Sequence, residues 1–127
     1  MHLIIDGFGA NPRMLESEEL IYQLLDHYPS QIGMTKVAPP QVFRYVGSKP
    51  EDWGISGFVI IAESHISIHT FPERRYVNID IFSCKDFDPE QAIRDLKARF
   101  ELPQLKTCLL SRGLEYSYME TAGMKAI

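Results

Sequence analysis

The sequence predicts an α+β fold, a two-layer sandwich with a mostly antiparallel sheet and two helices on one of its faces. Three observations predict it. The elements read in the order β-α-β-β-β-β-α-β, so a long run of strands separates only two helical segments. The segment around Val77, Ile79 and Ile81 alternates apolar and polar residues, as a half-buried strand does. At 127 residues, 45% of them hydrophobic and 24% charged, the chain has the size and composition of one domain, 1–127, around one core.

Each element has its own signal. "HLIIDGF" reads as the first strand, closed by the turn "GFGANP". Asn11 can cap a helix with Pro12 in its first turn; Leu20, Ile21, Leu24, Leu25 and Tyr28 make its apolar stripe, and Pro29 is expected to stop it. "GMTKVAPPQVFRYV" is extended, with Pro39–Pro40 breaking it or holding it at a sheet edge. The polar loop "GSKPEDWG" leads into two strand-like runs, "ISGFVIIAE" and "HISIHTF". The run through "FVIIA" is apolar at successive positions, which predicts burial on both faces. The next strand follows a turn at "PERR". "DPEQAIRDLKARF" is the clearest helix: Asp88 is its N-cap, Pro89 its first position and Gln91 the capping-box partner. Ile93, Leu96 and Phe100 face inward and Pro103 limits its end. "LKTCLLS" is the last strand, after which Gly113 turns the chain into an unpatterned tail.

Composition narrows the function. A formal charge of −4 provides no basic footprint for nucleic acid, and Arg74–Arg75 alone is not a patch. "MHLIIDGF" lacks the basic region of a targeting signal, and "FVIIA" is far too short to span a bilayer. Two cysteines, Cys84 and Cys108, fit reduced thiols rather than a disulfide framework. The expectation is a cytoplasmic protein with neither a nucleic-acid nor a membrane partner.

The chemistry is concentrated in "IIAESHISIHTFPE", residues 60–73, where a strand holds Glu63, Ser64, His65, Ser67 and His69. Metal is the first reading to test. His65, His69 and Cys84 are soft ligands, but four residues of strand separate the two imidazoles by roughly 13 Å, too far for one tetrahedral ion. No metal is expected. A serine hydrolase is the second. "GISGF" is not a nucleophile elbow, although Ser64, His69 and Asp80 could still assemble a triad in space. A strand with one wet face is the third: Glu63, His65, Ser67 and His69 share one side, and Ser64, Ile66, Ile68 and Thr70 the other.

The fourth reading uses the Glu63–Ser64 bond itself. A serine hydroxyl held against the preceding carbonyl can attack it and convert amide to ester. Elimination then leaves dehydroalanine, and hydrolysis of that gives a pyruvoyl group and ammonia. Such chemistry needs a donor for the tetrahedral oxyanion and a base for the elimination, roles open to residues of the type of Ser56 and His69. A Glu–Ser pair alone is weak, since it recurs at Glu16–Ser17 in the acidic start of the first helix.

The stretch "GISGFVIIAESHISIHTFPE", followed by "VNIDIFSC", resembles the bacterial and archaeal S-adenosylmethionine decarboxylase proenzymes, small pyruvoyl-dependent enzymes of spermidine synthesis. The close likeness runs from Gly54 to Cys84, with the cysteine fifteen residues after His69. The resemblance implies cleavage at Glu63–Ser64 into a β chain, 1–63, and an α chain, 64–127. It makes Ser64 the pyruvoyl precursor and Schiff-base residue, His69 a processing residue and Ser56 a stabiliser of the processing intermediate. It makes Cys84 the proton donor after loss of CO₂ and Glu73 a substrate-binding residue. It further implies a homodimer with active sites near the interface.

One segment departs from the family's pattern. "VFRYVGSKPEDWG" is longer than its counterpart, so Phe43, Tyr45 and Trp53 are all aromatics able to stack a base and none is assigned. Relatives with the same processing residues decarboxylate ornithine or arginine, and Glu51 and Asp52 are candidate partners for the distal cation of such a substrate. S-adenosylmethionine is the expected substrate. A homologue that stays one chain and acts as a binding or regulatory subunit is the remaining alternative.

Overall fold

Among the described residues seven strands form one sheet in which every pair is antiparallel. They are β1 His2–Phe8, β2 Thr35–Lys36, β3 Gln41–Val46, β4 Trp53–Ala62, β5 Ser64–Phe71, β6 Tyr76–Ser83 and β7 Gln104–Leu110. The structure is a computed structural model that describes residues 1–112; the predicted turn at Gly113 and the tail after it lie outside the described residues. The spatial order is β2-β4-β5-β6-β1-β7, with β3 also on β4. Between β2 and β3 stand Pro39 and Pro40, which cannot donate to a ladder. The extended segment therefore breaks in two, and its halves share one edge of β4. Thr35–Lys36 pair at Ile61–Ala62, and Gln41–Val46 pair along Trp53–Phe58.

Three helices of the described residues pack on one face: α1 Pro12–Glu16, α2 Glu18–Gln31 and α3 Pro89–Phe100. The core lies between them and the sheet. Leu3, Ile5, Ile55, Ile68, Ile79 and Ile81 point into it from the strands, and Leu15, Leu24, Leu25, Leu96 and Phe100 from the helices. The period-two pattern of β6 is realised, with Val77, Ile79 and Ile81 buried and the residues between them half-buried. Asp88 Oδ1 accepts from the Glu90 and Gln91 amides, so α3 starts where the sequence placed it.

Three expectations need correction. The first helix is two, because Ser17 takes an extended conformation (φ −101°, ψ 110°) and its Oγ accepts from the Leu20 amide as the N-cap of α2. Glu18 and Glu19 then sit at the positive end of the new helix dipole. Leu20 leaves the predicted stripe and is exposed. Pro29 does not stop α2, which runs on to Gln31; in the last turn a proline forfeits only one helical bond, and its carbonyl accepts from Ile32 and Met34. Finally, "FVIIA" is buried on one face only. Val59 and Ile61 are in the core, whereas Phe58 and Ile60 are exposed on the far face of the sheet, near Phe43. Among the described residues no helix is long and apolar enough to cross a membrane.

Candidate active site

The β4–β5 hairpin positions most of the candidate residues. Its turn is minimal: β4 ends at Ala62, β5 begins at Ser64, and only Glu63 lies between. Ser64 has φ +120°, a region in which an L-residue is strained by about 1–3 kcal/mol. The neighbouring strand clasps this turn. Ser64 pairs with Ser83 at the end of β6, and the next residue, Cys84, donates its backbone N–H to the Glu63 carbonyl oxygen at 3.3 Å. Ser64 Oγ and Cys84 Sγ are 3.7 Å apart. Cys84 is half-buried and unpaired with Cys108, which is exposed on β7.

This corner has defined chemical capacity. A carbonyl that accepts an N–H is polarised, and the same donor faces the oxygen on which negative charge develops when the carbonyl carbon is attacked. The hydroxyl nearest in covalent terms is that of Ser64 itself. A thiol beside that hydroxyl can give or take a proton at the same place.

Ser56 and His69 form the second cluster, at the other end of the hairpin. They are register partners, and Ser56 Oγ lies 2.9 Å from His69 Nδ1. The pair is held from behind by Thr70, which is fully buried. Thr70 Oγ1 accepts from the Ile55 amide at 2.9 Å and donates to the Leu15 carbonyl at 2.8 Å, tying β4, β5 and α1 together. At Gly54 the two strands come so close that a Cβ would collide with the Thr70 carbonyl oxygen, which requires glycine there. Glu73 sits beyond Thr70 on the 3₁₀ turn Pro72–Arg74, and its Oε1 accepts from Trp53 Nε1 at 3.1 Å.

The two clusters do not meet within one chain. Ser64 and His69 are five residues apart on β5, roughly 17 Å along a strand. By alternation they also face opposite sides of the sheet, Ser64 with buried Ile66 and Ile68, His69 exposed. The structure thus groups Glu63, Ser64 and Cys84 at one end, and Ser56, His69 and Glu73 at the other. Asp80 bonds His2 at 2.8 Å and pairs in register with Ser67, so Ser64, His69 and Asp80 build no triad. His65 packs edge-on against Phe82, and among the described residues no three His, Cys, Asp or Glu side chains gather as a metal group would require.

Sequence reasoning missed three elements here. The Cys84 amide is a main-chain donor and carries no residue signature. The bond from Trp53 to Glu73 joins residues on different elements. Thr70 did leave a signal: alternation places it on the buried face, and a buried hydroxyl needs partners. In the loop, Asp52 accepts from Arg74 at 2.9 Å, so its charge is already matched within the chain.

Comparison with known proteins adds an independent line. Residues 1–113 match the family model described as S-adenosylmethionine decarboxylase. An S-adenosylmethionine decarboxylase proenzyme from Clostridium botulinum is 38% identical over 113 residues, 88% of this chain and 92% of the relative. One from Pyrococcus furiosus is 30% identical over 115 residues, 90% of this chain and 78% of the relative. In fold, the chain is similar to the crystal structure of the adenosylmethionine decarboxylase from Aquifex aeolicus, with a TM-score of 0.75, 24% identity and 89% of each chain covered. With its single antiparallel sheet, its strained serine at the β4–β5 turn and these relatives along nearly all of its length, the chain belongs to the S-adenosylmethionine decarboxylase family.

Proposed function

We propose that this chain is a self-processing, pyruvoyl-dependent decarboxylase that acts on S-adenosylmethionine and supplies an aminopropyl donor for spermidine synthesis. The observation that carries the proposal is the Glu63–Ser64 corner, where the Cys84 N–H bonds the Glu63 carbonyl and Ser64 Oγ lies beside Cys84 Sγ. In processing, Ser64 Oγ attacks the Glu63 carbonyl carbon while the Cys84 amide holds the developing oxyanion. Collapse breaks the C–N bond and leaves an ester to Ser64. A base removes the Ser64 Cα proton, the Glu63 carboxylate departs as the end of 1–63, and water replaces the resulting enamine nitrogen, which leaves as ammonia. Residue 64 becomes a pyruvoyl group at the head of 64–127.

That group supplies a ketone that serves as an electron sink for decarboxylation of an α-amino acid. The residues around its position fit it: Ser64 is its precursor, and the 3.7 Å separation of Ser64 Oγ and Cys84 Sγ supports the reading of Cys84 as the proton donor. Glu73 binds substrate. Asp52, one of the two loop carboxylates considered for the distal cation of ornithine or arginine, is bonded to Arg74.

A homodimer completes the site. The Ser56–His69 pair cannot reach Ser64 of its own chain, and it faces outward on the side of the sheet that none of the described helices covers, together with Phe43, Phe58 and Ile60. A second copy packed there brings its own serine–histidine pair to the bond that is cut.

The test is intact-mass analysis followed by assay. Two chains meeting at 63/64, the second blocked by pyruvoyl, and CO₂ release from S-adenosylmethionine but not from ornithine or arginine are expected. One persistent chain of 127 residues after long incubation would overturn the reading.

A further inference from the structure

Trp53, the chain's only tryptophan, is held on two sides. Its indole Nε1–H donates to Glu73 Oε1 at 3.1 Å. The Arg44 guanidinium lies 4.4 Å from the centre of its ring. The register explains the second contact: Val46 pairs with Trp53 and Arg44 with Ile55, which sets Arg44 diagonal to Trp53 on the same face of the sheet. One residue before, Asp52 is bonded to Arg74, so the β3–β4 connection grips both ends of the Glu73–Arg74 pair.

We propose that Trp53 is a positioning residue for Glu73, and that Arg44 in turn positions Trp53. The inference rests on the reading of Glu73 as a substrate-binding residue. Glu73 stands exposed on a three-residue turn, where a glutamate side chain is free to rotate and loses that freedom on binding a ligand. An indole N–H only donates, so it pairs with the ionised carboxylate and fixes its rotamer before substrate arrives. It occupies Oε1 and leaves Oε2 to accept from the ligand. Arg44 stacks on the indole and limits its rotation. Neither contact of Trp53 involves Ser56, His69, Glu63, Ser64 or Cys84, the groups assigned to cleavage. The effect therefore falls on binding and not on cleavage.

The experiment compares processed wild type, W53F, E73Q and W53F/E73Q by CO₂ release from S-adenosylmethionine. W53F keeps the ring and removes the N–H. Its KM is expected to rise roughly fivefold to tenfold, with kcat within about twofold, as loss of a bond to a charged group in ground and transition state alike would give. The double variant should be no worse than E73Q, because the N–H then has no carboxylate to aim. A wild-type KM in W53F, or effects of W53F and E73Q that multiply, would overturn the inference. If W53F does not fold, R44M applies the same test with the indole retained, and is expected to raise KM without adding to E73Q. Absence of CO₂ release by wild type would instead overturn the decarboxylase reading.

Discussion

Ser64 Oγ lies 3.7 Å from Cys84 Sγ, while the Cys84 main chain bonds the carbonyl on the other side of the Glu63–Ser64 peptide. One residue therefore meets the Glu63–Ser64 bond twice, by backbone and by side chain, and under the proposed processing the two contacts have separable consequences. Ser64→Ala removes the nucleophile and should leave a single uncleaved chain. Cys84→Ala keeps the backbone N–H and should cleave, but lose turnover by about a hundredfold or more, the usual contribution of a placed proton donor. Intact mass and CO₂ release on the same samples check both. Normal turnover in Cys84→Ala would remove the thiol from the mechanism.

Thr70 joins α1, β4 and β5 through two bonds made by one buried hydroxyl. Thr70→Val conserves shape and leaves the Ile55 amide and the Leu15 carbonyl without partners. Two orphaned buried groups cost about 2–4 kcal/mol. The midpoint of urea unfolding should fall accordingly, with the slope unchanged. A loss below about 0.5 kcal/mol would mean that both groups find other partners.

Tyr28 is 3% exposed and donates to Asp95 across the α2–α3 seam at 3.0 Å. Burial first, and then the Asp95 hydrogen bond and charge, push the phenol above its ordinary value of 10.0. The sign follows directly. A phenol whose folded pKa exceeds its unfolded one contributes stability that is complete below the unfolded value and is lost as pH rises above it toward the folded value. Near neutrality Tyr28→Phe should cost about 1 kcal/mol for the lost bond. Between about pH 10 and 12 wild type should lose stability that the variant keeps, so the gap narrows. Urea midpoints on both sides of this range measure it, and a constant gap would place the phenol's titration outside the folding equilibrium.

Much of this architecture was legible because it depends on local rules. Asp88 and Pro89 announce α3, and Val77, Ile79 and Ile81 announce β6, through capping and alternation alone. The errors arose where a residue has two local readings. Ser17 can begin a helix or sit within its first turn, and Pro29 can end a helix or ride in its last turn. Phe58 and Ile60 expose a different limit, since apolarity does not state what covers a face. At the site, Glu63, Ser64 and Cys84 were named by the family resemblance and not by residue pattern alone, and the structure groups them at one corner. The opposition of Ser64 and His69 was only half readable: alternation provides the two faces, but the chain partner of each cluster lies beyond any one strand.

That opposition yields the sharpest prediction. If a second copy supplies the serine–histidine pair, each site draws Ser64 and Cys84 from one chain, and Ser56 and His69 from the other. Ser64→Ala alone lacks the nucleophile in every site, and His69→Ala alone lacks the histidine in every site. Neither homodimer should cleave at a normal rate. A mixed dimer holds one site with both residues intact, in which the His69→Ala chain is cut with help from the Ser64→Ala chain. Co-expression should therefore restore cleavage, confined to the His69→Ala chain, and a mass tag on one chain identifies which is cut. With random pairing, about half of the dimers are mixed, so roughly half of the His69→Ala chains should be processed. No cleavage in the mixture, with mixed dimers verified by mass, would show that His69 acts within its own chain, and normal cleavage of His69→Ala alone would show that it takes no part in processing.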